Sequence, residues 1–273
     1  MKYLLSVLSL TVLLGFQARA DDYKASMFGI KSNGTTLNTH SIQKAIDFIH
    51  EKGGGRLVFY VGRYLTGTIQ LKSNVTIHLE EGATLVGSTN IYDYNLSVRF
   101  PALITAYSAD HIAITGKGVI DGQGRELANN VTDQVQKGIL KDDLANDRSA
   151  LWRPKGIYLR ECKNVELSGI VVKNAAEWVV VCDQVEQLKI DKITVDSKAF
   201  WNNDGIDIVD CKDVLISNSY IDSSDDAICF KSHDATKMCE NVEVRNCVAR
   251  SSANGIKFGT LSSGGYKNFK IIN

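Results

Sequence analysis

Apolar and polar positions along the chain alternate in short bursts that return at a long, nearly regular interval. Four segments share a Cys-x-x-Val heading: Cys162-Lys163-Asn164-Val165, Cys182-Asp183-Gln184-Val185, Cys211-Lys212-Asp213-Val214 and Cys239-Glu240-Asn241-Val242. Each runs into alternating residues, as in Val165-Glu166-Leu167 and Val214-Leu215-Ile216. Weaker copies at Val75, Ile112 and Phe269 extend the series, and from Val165 the headings lie 20, 29, 28 and 27 residues apart. A second set keeps phase with the first: Gly156-Ile157, Trp178-Val179, Gly205-Ile206, Ala227-Ile228 and Gly255-Ile256 each open a short apolar run. Alternation of period two over four to six residues predicts strands.

Two or three short strands per repeat of roughly 20–30 residues, separated by Asn, Asp and Gly turns, predict an all-β solenoid, the parallel β-helix. A doubly wound α/β fold needs a helix of about ten residues between its strands, and these intervals hold none. One helix is predicted at the N-terminal side, over Thr39–Glu51, with Ile42, Ala45, Ile46 and Ile49 at helical spacing and Gly53-Gly54-Gly55 after it. Such a helix would cap an open solenoid end. Residues 125–150 break the rhythm with a charged, partly helical stretch, read as an insertion on the solenoid wall bordering a cleft.

Residues 1–20 read as a secretory signal peptide: Lys2, an apolar run from Leu4 to Phe16, then Ala18-Arg19-Ala20 before Asp21-Asp22. Its removal leaves residues 21–273 as one domain, exported to the periplasm or the medium, with 29 basic against 31 acidic residues. A near-neutral chain without a basic run gives no support for nucleic-acid binding, and no other stretch approaches a membrane span. The expected state is a monomer. Six cysteines in an exported chain invite disulfides, Cys229–Cys247 first among them. Four fall in one repeat column, however, where a ladder of small buried residues serves as well. No Cys/His spacing fits a zinc site.

The position leading each run of the second set reads Lys155, Glu177, Asp204, Asp226 and Asn254. Asp204 and Asp226 are therefore expected on neighbouring coils, with Asp225 on the same turn and Asp207 outward on the Asp204 strand. Crowded carboxylates repel one another and raise at least one pKa, leaving an acid beside an ionised base. Glycoside hydrolysis needs that pair: one carboxylic acid protonates the leaving oxygen while a carboxylate activates water. A lone Asp in such a turn more often caps the backbone; three at a one-coil spacing, beside Asn202 and Asn203, favour function.

Asn202-Asn203-Asp204-Gly205-Ile206-Asp207 resembles the Asn-Thr-Asp-Gly-(Ile/Phe)-Asp motif of the polygalacturonases, glycoside hydrolase family 28. Ser224-Asp225-Asp226-Ala227-Ile228 resembles the family's Gly-Asp-Asp motif, 21 residues downstream. Phe28-Gly29, Gly53-Gly54-Gly55, Tyr64-Leu65-Thr66-Gly67, Leu71-Lys72-Ser73-Asn74-Val75, Gly118-Val119-Ile120-Asp121-Gly122 and Trp152-Arg153-Pro154 carry the likeness through the chain. The resemblance implies a right-handed β-helix and an inverting mechanism without metal or other cofactor. By it Asp225 is the general acid, Asp204 and Asp226 position the attacking water, and the substrate is a pectin polysaccharide, homogalacturonan or rhamnogalacturonan. Asn202, Asp207, Asn254 and Lys257 are the candidate substrate-binding residues.

Two features depart from that pattern. The family's Gly-His-Gly corresponds to Ala253-Asn254-Gly255, so an amide that cannot titrate replaces the histidine. The family's Arg-Ile-Lys motif falls beyond Asn273, leaving Lys257 as a substitute cation, though a solvated strand lysine is an equally good reading of it. Phe269-Lys270-Ile271-Ile272 reads as a strand in mid-rhythm, which points to a truncated chain. Two other functions stay open: a calcium-dependent lyase of the same architecture, and a glycan-binding solenoid without catalysis.

Overall fold

The computed structural model describes residues 21–141 and 152–273. The leader expected at 1–20 and part of the 125–150 insertion lie outside the described residues. Three parallel sheets of nine, seven and seven strands stack along one axis. A single coil contributes one strand to each, as in Lys212–Ser217, Tyr220–Ser223 and Ile228–Ser232. Alternate residues face inward, so the core is built of columns. Val165, Leu188, Val214, Val242 and Phe269 stack in the nine-stranded sheet, and Ile157, Val180, Ile206, Ile228 and Ile256 in a seven-stranded one. Ile157, Val180, Ile206 and Ile228 are fully buried, each contributing roughly 1.5–3 kcal/mol of hydrophobic stabilisation.

The turns explain the heading motif. Asn164, Asp213, Asn241 and Asn268, each just before an inward column residue, all adopt left-handed backbone, with φ between 51° and 57°. Asn and Asp tolerate that region better than other non-glycine residues. Their side chains then bond from coil to coil: the Asn268 amide donates to Asn241 Oδ1 at 3.0 Å, and Asn241 to Asp213 Oδ1 at 2.8 Å.

One predicted heading is out of phase. Val185 does not join the Val165 column; Leu188 does, after a second left-handed residue, Gln187 at φ 58°. Val185 instead occupies the place of the heading cysteines, between Cys162 and Cys211. Cys182 pairs with Leu159 and Ile208 in the neighbouring sheet. The column is thus Cys162, Val185, Cys211, Cys239, and Cys182 lies outside it. All six cysteines are unbridged, with Cys229 and Cys247 bonded to separate backbone carbonyls.

Helix α1, Thr39–Glu51, forms where the periodicity predicts and buries Ile42, Ala45, Ile46 and Ile49 over the first coils. Helix α2, Gly124–Gln136, is the described part of the insertion and buries Leu127, Ala128 and Val131. A Cβ on Gly124 would stand 2.2 Å from the Ala175 carbonyl carbon, so only glycine lets α2 start against the coil wall. Its Arg125 and Glu126 border a small pocket with Asn174, Asp196 and Lys198, which Asp204, Asp225 and Asp226 do not line. No helix among the described residues is long and apolar enough to cross a membrane.

Candidate active site

The register of one seven-stranded sheet sets the site. Backbone bonds from Gly156 to Trp178, Val179 to Asp204, Gly205 to Asp226 and Ala227 to Asn254 align the residues that lead its strands. They read Lys155, Trp178, Asp204, Asp226 and Asn254. Trp178, not Glu177, stands in this column. The slip of one residue arises because Val180, not Val179, takes the inward place opposite Ile157 and Ile206, and a one-residue slip exchanges the faces of a strand. Glu177 is buried and paired with Lys155, its carboxyl pushed up by burial against the opposing pull of that lysine.

Residues 198–203 bulge before Asp204, and Asn203 ties the bulge down. Its Oδ1 accepts from the Ala199 and Phe200 amides and the Ser197 hydroxyl, and its Nδ2 donates to the Ala175 and Glu177 carbonyls. Arg153, fully buried, donates to the Ala176 and Trp201 carbonyls and to Asn202 Oδ1. Gly205 passes close beneath Ala227, whose carbonyl oxygen would lie 2.6 Å from an added Cβ. Asp204 and Asp226 therefore stand one strand apart.

Each of the three aspartates has its own surroundings. Asp204 is 4% exposed, and its Oδ2 accepts from the Lys231 ammonium at 2.9 Å. Burial, then the neighbouring Asp207 charge, pushes its pKa up to about 8, against the pull of Lys231. Asp226 is buried with both oxygens held: Asn254 donates to Oδ1 at 2.6 Å and Lys257 lies 2.8 Å from Oδ2. Asp225, half-buried, accepts the Asp226 amide on Oδ1 at 3.0 Å and forms no ion pair among the described residues.

All three line one open groove of about 900 Å³, together with Asn202 and Lys257. Asn254 is exposed and touches the site through Asp226. Asp207 does not reach the groove. It projects outward from its strand, as its alternation requires, but is completely buried against Lys231. Its carboxylate is therefore covered in this structure rather than part of the groove wall.

The groove also holds residues that sequence patterning passed over: Arg99, Phe100, Arg160, Trp178 and Lys231. Lys231 carried a usable signal, since it follows the Asp226 strand lead by five residues, on the outward face of Ile228–Ser232. Arg99 and Phe100 carried none, because they come from a loop outside the repeat. Asp204, Asp207 and Cys229 bring three potential metal-ligand atoms within 4.8 Å of one another. The Lys231 ammonium contacts both of those carboxylates, so the cluster already holds its own cation.

A stacked parallel solenoid with a carboxylate-lined groove defines the class, and comparison supplies the family. Residues 57–273 match Glycosyl hydrolases family 28, and the chain belongs to that family. It is 29% identical to an exo-poly-alpha-D-galacturonosidase of Dickeya chrysanthemi, over 75% of this chain and 41% of that protein. Its fold is similar to that of a hyperthermoactive exopolygalacturonase from Thermotoga maritima, with a TM-score of 0.77, 26% identity, and coverage of 92% and 65% of the two chains. A candidate glycosyl hydrolase from Parabacteroides merdae is 34% identical with a TM-score of 0.71, covering 92% of this chain and 96% of that one. The chain thus spans about four tenths of the length of the Dickeya relative.

Proposed function

We propose that this chain is an exported hydrolase that cleaves galacturonan-type pectin with inversion, Asp225 acting as acid and Asp204 and Asp226 as the water-positioning bases. One observation carries the reading: of three aspartates on one groove, two face a lysine and the third faces none among the described residues. An adjacent cation favours the ionised form that a base requires. Asp225, open to the groove, is left for the part of the acid. In the reaction the Asp225 proton passes to the glycosidic oxygen as the C1–O bond breaks. Water, losing its proton to the Asp204/Asp226 side, attacks C1 from the opposite face.

An anionic substrate is supported by Arg99, Arg160 and Lys257 along the groove, and by the galacturonan-degrading relatives. Export is supported by the apolar run Leu4–Phe16 with Ala18-Arg19-Ala20 behind it; recovered exported protein should begin at Asp21. The test of the reaction is proton NMR of the first products from polygalacturonate, with rhamnogalacturonan in parallel. Reducing ends of inverted anomeric configuration are expected, the outcome of an inverting pair, whose carboxyls in general stand about 6.5–9.5 Å apart. Retained configuration overturns the mechanism. Saccharide binding without any release of reducing ends favours a glycan-binding solenoid instead.

A further inference from the structure

We propose that Lys231 is a positioning residue for this reaction: anchored on Asp207, its ammonium orients Asp204 at the groove wall and favours the carboxylate against the burial that opposes it. The inference rests on the hydrolytic reading above. Lys231 lies at the end of Ile228–Ser232, one coil beyond the Asp204 strand, and is 5% exposed. Its Nζ stands 2.9 Å from Asp204 Oδ2, also contacts Asp207 Oδ1, and lies 4.0 Å from the centre of the Trp178 ring. A buried ammonium is costly unless paired, and here two carboxylates and an aromatic face receive it.

Two carboxylates and one ammonium leave a net negative charge in a place shielded from water. That balance resists ionisation of Asp204, and Lys231 is the strongest influence opposing the upward push of burial and Asp207. Asp225 also acts on Asp204, while Cys229 and Lys257 feel its charge. Glu177, one coil before, and Lys155, two coils before, act through Asp207. Asp207 Oδ2 is buried without a hydrogen-bond partner. Asp207 thus anchors the lysine, and the lysine in turn sets the state of Asp204.

The experiment compares the wild type, Lys231→Met, and Lys231→Met combined with Asp207→Asn. Lys231→Met removes the charge that favours the Asp204 carboxylate, so the acidic limb of the kcat profile should move to higher pH. At pH 6 kcat should fall by about 10²-fold, the lower range for loss of a positioned base, with KM within about twofold. Adding Asp207→Asn removes the opposing negative charge, so the limb should return toward lower pH and kcat recover about tenfold. A folded Lys231→Met enzyme whose acidic limb stays at the wild-type pH overturns the proposal, as does a raised KM with unchanged kcat.

Carboxyl NMR of aspartate-labelled protein reads Asp204 without any turnover. Its titration midpoint should rise in Lys231→Met and fall again in the double variant; an unmoved midpoint overturns the proposal. Should Lys231→Met fail to fold, Asp207→Asn alone must lower the Asp204 midpoint, and no change there refutes it equally. Wild-type protein that releases no reducing ends defeats the hydrolase reading instead, and the NMR titration then still decides whether Lys231 governs Asp204.

Discussion

The Asn254 amide donates to Asp226 Oδ1 at 2.6 Å while the Lys257 ammonium lies 2.8 Å from Oδ2, so both oxygens of one buried carboxylate are held from the following coil. The pair fixes the rotation of Asp226 without a titrating group at position 254. It also accounts for Lys257: the raised pKa of this lysine stems first from its hydrogen bond with Asp226.

Asn254→Ala should therefore lower kcat about tenfold with little change in melting temperature. One hydrogen bond to a charged group contributes about 1.5 kcal/mol, and 1.4 kcal/mol is a factor of ten. Asn254→Asp keeps the shape but sets a second negative charge against Asp226, and should cost more than the alanine. Steady-state kinetics on polygalacturonate check the order; an aspartate variant as active as the alanine variant contradicts the electrostatic account.

Asp225→Asn should abolish hydrolysis while leaving fold and saccharide binding in place. Its side chain is half-buried and unpaired by any cation among the described residues, and Asn keeps its shape. The lost proton donor should cost about 10²–10⁴-fold in rate. Asp222, the nearest other aspartate upstream, is a poor control because Lys198 lies 2.6 Å from its Oδ2. Asp133→Asn removes only an exposed i,i+4 pair with Lys137 and should be almost silent. Turnover unchanged by Asp225→Asn places the acid elsewhere.

The solenoid was readable because its turns repeat chemistry as well as spacing. Asn164-Val165, Asp213-Val214 and Asn241-Val242 each join a left-handed residue to an inward one, so motif and geometry coincide. Cys182-Asp183-Gln184-Val185 has the same letters in another phase, and composition alone cannot tell one left-handed turn from the next. Trp178-Val179-Val180-Val181 misleads for a related reason: four bulky residues in a row carry no alternation to fix the register. Alternation also gives the outward direction of Asp207 correctly. What seals Asp207 is Lys231, on the next coil, and burial on a solenoid's outer face depends on such neighbours.

Asp204→Asn should stabilise the protein increasingly as pH rises. The folded pKa of Asp204 is raised from 3.8 to about 8, chiefly by burial. Between these values the folded state binds more protons than the unfolded chain, so its stability falls with rising pH. The contribution of this group is full below about 3.8 and is lost as pH climbs through about 8. Asn has no charge to bury. The melting temperature of the variant relative to wild type should therefore rise from pH 5 to pH 9, at the expense of activity. Parallel melting curves across that range contradict the raised value.

Arg153→Met should damage both stability and the approach to Asp204. The guanidinium is fully buried and donates at 2.8 Å and 2.6 Å to the Ala176 and Trp201 carbonyls, and at 2.9 Å to Asn202 Oδ1. Its plane also lies near Phe200, 5.1 Å from the ring centre. Methionine matches much of the stem but leaves these acceptors without their donor, at about 1–3 kcal/mol for each one unsatisfied. A total near 3 kcal/mol corresponds to a melting temperature lower by about 6–12 °C in a chain of this length. Arg153→Lys should recover little, because a point charge cannot reproduce the fork. Asn202→Ala separates the two effects: it should lower activity through the groove wall while leaving the melting temperature within about 2 °C, since Ala176 and Trp201 keep their donor. Equal thermal losses in Arg153→Met and Asn202→Ala would show that the Asn202 contact, rather than the two carbonyls, holds the bulge before Asp204.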